Sequence, residues 1–540
     1  MQHTTLFLKL LEKRGFTDDF LYPKYENLSN PFLMPDMKEA IARIRQAVSN
    51  SEKILIYGDY DVDGVTATAI LWNALTMAGA SEERIIMMLP DRFVDGYGMS
   101  KKVVQRAAVE GASLVITVDC GSNNGEVIDE LLSKGIDVVV TDHHEIMGDL
   151  PKGVAVVNAK RTDRDVPQTL KQLCGAGVVF FLARAMVQEG MIPDGQEKWL
   201  LDLAMIGTIC DAMELTGDNR IICRFGMVVL AKTRRAGLRQ LMRTAKVRKI
   251  DTEAIGFQLG PRLNAAGRMK SAEISLELLL TTSEIEAINL TEELEGLNAE
   301  RRSQQEAAVR EIGERGISDE PVIIVTGDWH EGVLGIIAGK LTEKYKKPAF
   351  VLAETSEGEL KGSGRSFGDF SLAEAIKACT QYLISGGGHA EACGVKLEKE
   401  KLADFIKAVN DYYRGLGLKH QERFLEVRED LKVGKLSSLT LDFMGELELL
   451  EPFGNGNPEP LILLDGVEVV FVDRIGKDGK HLKLTVKDTG ENRLRLVAFS
   501  APEEWFELKN GMKISMIIQP MVNEWNGVSS VEGRILSIKK

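Results

Sequence analysis

The chain has 540 residues, of which 44% are hydrophobic and 27% charged, a composition that indicates a globular protein and excludes a disordered or fibrous one. This length predicts three or four domains. The six cysteines form no C-x-x-C pair, and no stretch reaches the ~18 apolar residues of a membrane span. The N-terminal sequence lacks the pattern of a signal peptide, so we expect a cytoplasmic protein with no membrane partner.

The net charge of −13 has the wrong sign for a protein that coats nucleic acid non-specifically. The charge is uneven, however, because residues 461–540 carry 12 Lys and Arg against 11 Asp and Glu. The global charge is therefore only a weak argument against a nucleic-acid partner.

The first half of the chain alternates short apolar runs with helical segments. Each run is β-branched and nearly continuous, as expected of strands that are buried on both faces. The runs are 53–57, 84–89, 114–118, 137–141 and 154–158. This alternation predicts repeated βαβ units, and so a parallel sheet with helices on both sides.

The rest of the chain predicts three further parts. Residues 273–315 indicate one or two helices, the second long and charged, that act as a spacer; a dimerising coiled coil is the alternative, but the apolar heptads are imperfect. A second α/β set follows, with strands predicted at 321–327, 348–353, 360–366 and 392–397. Beyond residue 420, hairpins with polar turns predict a small barrel.

Acidic and histidine side chains follow three of the first strands. These are Asp59, Asp61 and Asp63 after the first run, Asp119 after the third, and Asp142-His143-His144 after the fourth. In an open α/β sheet, ligands bind outside the carboxyl ends of the strands, so we expect these side chains to meet in one crevice. Carboxylates gathered there repel one another unless cations hold them, and oxygen ligands with imidazole suit Mn²⁺ or Mg²⁺. Two such ions form the usual site for phosphoester hydrolysis.

Two other interpretations of these residues are less favoured. The Asp-x-Asp-x-Asp-Gly run also opens calcium loops, but the position where such a loop needs Glu is Ile70. A single Asp at a strand end is often only a helix N-cap. Three clusters in one βαβ series favour a metal site.

The ordered motifs resemble those of the DHH phosphoesterases and, within that superfamily, of the single-strand-specific exonucleases. The motifs are 57–64, 118–121, 142–144, 209–211, 260–268, 386–389 and 452–460. The resemblance implies an α/β fold: a parallel-sheet DHH domain and a smaller α/β DHH-associated domain joined by a long helix, with a C-terminal OB-like β-barrel. We expect the boundaries at 1–50 for an N-terminal extension, 51–225, 226–317 for a helical connector, 318–418 and 419–540.

The resemblance also implies the roles of the site residues. Asp61 and Asp63 would serve separate Mn²⁺ or Mg²⁺ ions, Asp119 would bridge them, His143 would be a ligand, and Asp211 would complete the second site. His144 would act at the scissile phosphate as a hydrogen-bond donor or proton carrier. Many family members carry His four residues before the first metal-binding Asp; that place is Tyr57 here, so we expect Asp59 to take over its coordination.

Candidate substrate-binding residues lie in several loops. Arg262, Arg268 and Arg365 can each bind phosphate in a bidentate fork, with salt bridging as the alternative. Gly387 and Gly388 precede His389 and would form an anion-binding nest, although a glycine run is also a common turn. By the resemblance, Arg92 would hold phosphate and Tyr97 would stack on a base.

In the barrel, the basic run includes Lys480, Lys483 and Lys487. A strand over 481–487 would place Lys483 and Lys487 on one face with His481 and Thr485, either as a phosphate track or as a plain solvated face.

The resemblance implies a 5′-to-3′ exonuclease that hydrolyses single-stranded DNA to 5′-mononucleotides in repair and recombination. The expected partners are single-stranded DNA, a helicase and a single-strand-binding protein, with the enzyme a monomer. One alternative is a phosphodiesterase or pyrophosphatase for short substrates, which would not need the barrel. The other is an inactive replication-factor relative, which the complete Asp and His set disfavours.

Overall fold

A computed structural model describes residues 3–92, 98–418 and 427–539. The chain divides into two compact units. One contains Asn30–Asp211 and Gly226–Phe424, and the other contains Met1–Ser29, Ala212–Phe225 and Leu425–Lys540. The predicted N-terminal extension 1–50 thus contributes residues to both units.

The helices and strands of the described residues are numbered in chain order. The helices are α1 (Thr5–Arg14), α2 (Asp18–Leu21), α3 (Met37–Ser49), α4 (Val62–Met77), α5 (Lys102–Glu110), α6 (Gly125–Ser133), α7 (Gln168–Lys171), α8 (Gly175–Gln188), α9 (Leu201–Cys210), α10 (Gly217–Leu230), α11 (Ala236–Thr244), α12 (Gly260–Met269), α13 (Glu273–Leu280), α14 (Glu284–Arg315), α15 (Glu331–Tyr345), α16 (Leu372–Ala378), α17 (Leu402–Gly415) and α18 (Leu441–Leu447). The strands are β1 (Ile54–Tyr57), β2 (Ile85–Met88), β3 (Leu114–Val118), β4 (Asp137–Thr141), β5 (Ala155–Val157), β6 (Ile323–Gly327), β7 (Ala349–Glu354), β8 (Glu359–Arg365), β9 (Ser385–Gly388), β10 (Ala392–Glu398), β11 (Leu431–Val433), β12 (Ile462–Ile475), β13 (His481–Lys487), β14 (Arg493–Ala498), β15 (Lys513–Trp525) and β16 (Val528–Lys539).

The first sheet is parallel and has the order β2-β1-β3-β4-β5, which confirms the predicted βαβ series. Strands β1 and β3 are buried along their whole length because helices cover both faces. Alternate residues such as Leu55 and Val115 pack against α5 and α6, and the opposite face packs against α4 and α8. Because β1, β3 and β4 are neighbours, their carboxyl ends open at one edge of the sheet.

The predicted spacer is two helices, α13 and the charged 32-residue α14. Helix α14 packs against α11, α12 and α13, and further along its length against α15 of the second α/β set. The prediction of one or two helices at 273–315 is confirmed.

The second sheet has the order β6-β7-β8-β10-β9. It contains one strand that the sequence did not predict. Gly386, Gly387 and Gly388 lie in β9, which pairs antiparallel with β10 at the edge of the sheet. The expectation of a nest or a turn at this triplet is therefore wrong, because the glycines pair with β10 as a strand.

The other unit is built on the predicted barrel. Its sheet runs β11-β12-β13-β14-β16-β15, and a further pairing of β12 with β15 closes a five-stranded barrel. Phe7 and Leu10 of α1 share one apolar core with α18 and with inward residues of the barrel strands such as Leu484. The N-terminal helix is thus part of the barrel unit. Across the described residues, no helix is both long and apolar enough to span a membrane.

Arg220 of α10 holds this unit together by hydrogen bonds to backbone. Its buried guanidinium donates to the carbonyl oxygens of Phe20, Leu449 and Leu450 at 2.8–3.1 Å. Burial lowers its pKa to about 10, so the group stays charged at neutral pH. Arg224, one turn later, donates to a single carbonyl among the described residues, that of Glu451, at 3.2 Å.

We predict that Arg220→Ala lowers the free energy of unfolding by about 3 kcal/mol, because three carbonyls, that of Leu450 in a buried hydrogen bond, lose a charged donor. Urea denaturation followed by circular dichroism measures this loss. Arg224→Ala, with one such bond, should cost less than about 1.5 kcal/mol. Equal losses in the two variants would contradict a special role for Arg220.

Candidate metal centre and phosphate cluster

The first cluster of carboxylates follows β1 directly and begins α4. Asp61 is the N-cap of α4, and its Oδ1 accepts the backbone N–H groups of Asp63 and Gly64 at 2.9 and 3.1 Å. Gly64 is needed for space, since a Cβ there would lie 2.5 Å from the carbonyl oxygen of Asp59. Asp61 therefore does cap a helix, as a single Asp at a strand end often does, and this cap fixes the orientation of its carboxylate in the cluster.

The predicted ligands converge in two main groups at the carboxyl edge of the sheet. In each group one ligand atom from every residue lies within 4.8 Å of the others. The first group is Asp59, Asp61 and Asp119, and the second is Asp63, His143 and Asp211. Asp119 also groups with His143 and His144, so it lies between the two sets.

His143 connects the two groups. Its Nε2 lies 3.1 Å from Asp119 Oδ1, 3.7 Å from Asp211 Oδ2 and 3.9 Å from Asp63 Oδ2. Burial and the neighbouring His144 lower the pKa of His143 to about 4. The imidazole is therefore neutral at physiological pH, which is the form that binds a metal ion.

His144 differs from His143 through its partner Asp142. Its Nδ1 lies 2.8 Å from Asp142 Oδ1, and Asp142 also accepts backbone N–H groups of Ser122, His143 and His144. Burial alone would lower the pKa of His144, but the hydrogen bond and charge of Asp142 outweigh it and raise that pKa. Asp142 thus shifts His144 toward the protonated form, relative to an ordinary histidine, beside the metal-binding group.

The electrostatics of the carboxylates fit divalent cations. Burial and the charge of Asp61 raise the pKa of Asp59 to about 8, while burial and neighbouring carboxylates raise those of Asp119 and Asp211 well above the usual value. Asp119 Oδ1 and Asp211 Oδ2 are buried and accept no hydrogen bond from the described residues. Buried carboxylates of this kind bind hard cations, so the donor set fits Mn²⁺ or Mg²⁺.

Helix α8 supplies supporting contacts that the sequence did not reveal. The backbone N–H groups of Gly175 and Ala176 donate to the two carboxylate oxygens of Asp63 at 2.6 and 2.8 Å. A Cβ at Gly175 would lie 2.5 Å from the Cβ of Asp119, and one at Gly207 would lie 2.6 Å from Asp63 Oδ1. No motif marks these glycines; only the packing of α8 and α9 on α4 brings them to the site.

Tyr57 occupies the position at which the family resemblance would place a ligand histidine, and its side chain is buried and hydrogen-bonded elsewhere. Its hydroxyl donates to the carbonyl of Gly98 at 3.0 Å and lies 3.4 Å from the N–H of Ser100. Tyr57 therefore fixes the loop before α5, and Asp59 is the residue grouped with Asp61 and Asp119.

Arginines gather beside the carboxylates. Burial and Arg92 lower the pKa of Arg268 to about 9, with Arg301 adding to the effect, and burial together with Arg92 lowers the pKa of Arg365. The Arg92 guanidinium lies over the ring of Tyr60, 5.1 Å from its centroid. Arg301 of α14 belongs to this cluster although no sequence motif marked it, and its buried Nε donates to no described residue. We call Arg92, Arg268, Arg301 and Arg365 the arginine cluster.

Other predicted phosphate ligands fall outside this cluster. Arg262 donates from Nε and Nη2 to Glu295 of α14 at 2.6 and 3.1 Å, so it forms the salt bridge that was the alternative. His389 follows the edge strand β9 and is exposed, with its backbone N–H bonded to Ala392. Tyr97 lies outside the described residues.

The barrel lysines are less available than their sequence suggested. Strand β13 alternates as predicted, with Lys483 and Lys487 on the outer face beside His481 and Thr485. Lys487 is paired with Glu491 at 2.9 Å and Glu468 at 3.5 Å, however, and Lys480 lies 3.6 Å from Asp478. Lys483 is exposed.

Family models match three parts of the chain: the DHH family N-terminal domain at residues 53–208, the DHHA1 domain at 319–415 and the RecJ OB domain at 431–537. Among curated proteins, the chain is 36% identical to the single-stranded-DNA-specific exonuclease RecJ of Bacillus subtilis, over 97% of this chain and 66% of that protein. It is 32% identical to RecJ of Dickeya dadantii, over 93% and 90%. A crystal structure of Thermus thermophilus RecJ in complex with Mn²⁺ matches with a TM-score of 0.85 and 30% identity, over 100% of this chain and 76% of that one.

A parallel sheet with Asp and His at adjoining strand ends, followed by a DHHA1 domain, defines a DHH phosphoesterase. The RecJ OB model and the RecJ proteins that match along most of their length identify the family within this class. The chain belongs to the RecJ family.

We predict that Gly175→Ala weakens Mn²⁺ binding at least about tenfold, because the new methyl group must displace Asp119. Isothermal titration calorimetry measures the affinity. Gly125→Ala is the matched control, since Gly125 also begins a helix but a Cβ there would meet no described atom within 4 Å. Unchanged Mn²⁺ affinity in Gly175→Ala would show that Asp119 does not depend on this packing.

Proposed function

We propose that this chain is a metal-dependent exonuclease that hydrolyses single-stranded DNA from its 5′ end to 5′-mononucleotides, in DNA repair and recombination. The observation that carries the proposal is the pair of Asp and His groups next to the arginine cluster, in a member of the RecJ family. The carboxylates suit cations and the arginines suit phosphate, so the two together suit a phosphodiester.

Two Mn²⁺ or Mg²⁺ ions are the proposed cofactors. Asp59 and Asp61 would hold one ion, Asp63, His143 and Asp211 the other, with Asp119 shared between them. When bound, two such ions polarise a phosphate and lower the pKa of a coordinated water. The protein's own part is to keep these ligands fixed, which the N–H groups of α8 do for Asp63.

Asp119 and His144 are the proposed catalytic residues. Asp142 fixes the His144 ring through Nδ1 and favours its protonated form. In that form His144 can donate a hydrogen bond to a phosphate oxygen or give a proton to the leaving oxygen. Asp142 is thereby a positioning residue.

The arginine cluster is the proposed phosphate-binding site for the strand. Arg92, Arg268 and Arg365 come from three different segments, and their mutual repulsion is relieved when an anion lies among them. Tyr97 would stack on a base, and Gly387, Gly388 and His389 would offer donors from the sheet edge. Arg262 is not a phosphate ligand in this proposal, because its guanidinium forms a salt bridge with Glu295.

The barrel is the proposed site for the strand beyond the active site. Lys483 contributes charge there; Lys480 and Lys487 contribute less because carboxylates neutralise them. We further propose a monomer that acts in the cytoplasm with a helicase and a single-strand-binding protein, as the family resemblance implies.

The alternatives fit the chain less well. A phosphodiesterase or pyrophosphatase for short substrates would not require the barrel at residues 431–537. An inactive replication-factor relative would not require the complete set of Asp and His ligands, which here converge in space.

End-labelled DNA tests the proposal directly. The chain should degrade single strands and single-stranded 5′ overhangs with Mn²⁺ or Mg²⁺, release 5′-mononucleotides, and spare blunt duplex. Chelator should abolish the activity. Asp119→Ala should reduce it below a thousandth, because both ion sites lose a ligand, while DNA binding persists.

Cleavage of dinucleotides with no activity on longer strands would instead support the phosphodiesterase alternative. Retention of a tenth of the activity by Asp119→Ala would contradict a bridging role for Asp119. Degradation from the 3′ end would overturn the proposed direction.

Two arginines of the same helix α12 test the phosphate cluster. Arg268→Ala should raise KM for single-stranded DNA about tenfold or more, because a desolvated bidentate phosphate contact is lost. Arg262→Ala should leave KM within about twofold, because its guanidinium is bound to Glu295. Steady-state kinetics on a labelled oligonucleotide gives both values; a larger effect in Arg262→Ala would reverse this assignment.

A further inference from the structure

A cavity of about 680 Å³ lies at the β2 edge of the first sheet, and none of its lining residues belongs to the ligand groups. Its lining combines an apolar floor with acidic residues. The floor is Trp72, Ile85, Met87, Leu89, Leu276 and Leu280. The acidic residues are Glu82, Glu273, Glu277 and Glu286, and we call the whole feature the acidic groove.

The glutamates of the acidic groove are not neutralised within the protein. None of the four forms an ion pair with any Lys, Arg or His that the structure describes, whereas nearby Glu284 and Glu293 are paired with Arg239 and Lys270. Partial burial raises the pKa of Glu277, and the charges of Glu273 and Glu286 add to the effect. The groove therefore carries uncompensated negative charge around an apolar floor.

The negative charge and the apolar floor together indicate which kind of ligand the groove can bind. Four carboxylates repel a phosphate backbone, so the groove is not a path for DNA. The floor is formed by large apolar side chains at an edge strand, and a pocket of this volume holds several apolar side chains. Lys or Arg beside those side chains would complement the glutamates.

We propose that the acidic groove is a docking site for a segment of a partner protein in which apolar residues are flanked by Lys or Arg. The inference goes beyond the proposed nuclease function, because none of the lining residues belongs to the ligand groups or to the arginine cluster.

The position of the groove gives docking a physical route to the active site. Leu89 of the floor is followed by Pro90, Asp91 and then Arg92 of the arginine cluster. A partner that fixes Leu89 also fixes the start of the segment that carries Arg92.

The test uses the full chain and a short synthetic peptide of Leu and Lys as the probe. Fluorescence anisotropy should show binding of this peptide to the wild type. A triple variant, Glu82→Lys, Glu273→Lys and Glu277→Lys, should lose at least about tenfold in affinity. A control triple variant of exposed glutamates elsewhere in the same unit, Glu126→Lys, Glu398→Lys and Glu400→Lys, should stay within about twofold.

Two further peptides separate the groove from general charge attraction. A peptide with Ser in place of Leu, and one with Glu in place of Lys, should both bind at least about tenfold more weakly. Equal binding of the Leu and Ser peptides, equal losses in the two triple variants, or no binding to the wild type would each overturn the proposal.

The groove variant is also assayed for hydrolysis of single-stranded DNA and for thermal unfolding. Both should match the wild type, which separates this proposal from the nuclease function. If the Lys substitutions lower the melting temperature, the Gln versions of the same three residues keep the test open, because they remove the charge without reversing it.

Discussion

The mutual repulsion of buried carboxylates at the carboxyl edge of one sheet is the constraint on which the rest of the catalytic unit depends. Burial and the charges of neighbouring carboxylates, Asp63 among them, raise the pKa values of Asp61 and Asp119, and burial together with the charge of Asp61 raises that of Asp59. Backbone donors offset part of this cost: the N-terminus of α4 is capped by Asp61, and that of α8 donates to Asp63. Asp119 adopts a left-handed backbone conformation, φ 61°, which a non-glycine residue adopts at a cost of about 1–3 kcal/mol. The fold thus holds an arrangement that bound cations complete.

The arginine cluster is the counterpart of this constraint. Arg268 lies near Asp61 as well as Arg92 and Arg301, so its charge is attracted on one side and repelled on the other. If neighbouring carboxylates and guanidinium groups were free to move, they would form direct salt bridges and neutralise one another. Arg262 shows that outcome six residues earlier in the same helix, where it binds Glu295. Arg268 forms no ion pair with any carboxylate that the structure describes, so carboxylates and guanidiniums remain side by side, as the proposed metal-dependent hydrolysis of a phosphodiester needs.

The sequence predicted what depends on local pattern. The apolar runs predicted strands β1 to β5 and their parallel arrangement. The residues that follow those runs predicted the acidic ends of the strands. It could not predict contacts between distant segments: Gly175 touches Asp119, and Gly207 touches Asp63, only because α8 and α9 pack on α4. For the same reason, Arg262 and Arg268 were equivalent in sequence but face different partners. Glycines 386–388 were expected to form an anion-binding nest or a turn, but they pair with β10 as a strand. Lys487 was expected on a phosphate track or a solvated face, but Glu468 lies across from it on β12 and pairs with it.

The uneven charge of the chain follows from these separate tasks. A nuclease with a net charge of −13 can still attract DNA if its cations are concentrated where phosphate binds and its spare carboxylates are bound to metal. The glutamates of the acidic groove bind neither phosphate nor metal, and they would repel a DNA strand that approached them. A surface of that kind is tolerated only where DNA does not pass, and its apolar floor favours contact with protein instead. Since only Leu89, Pro90 and Asp91 separate β2 from Arg92, the two proposed binding surfaces are close in sequence although they would attract ligands of opposite charge.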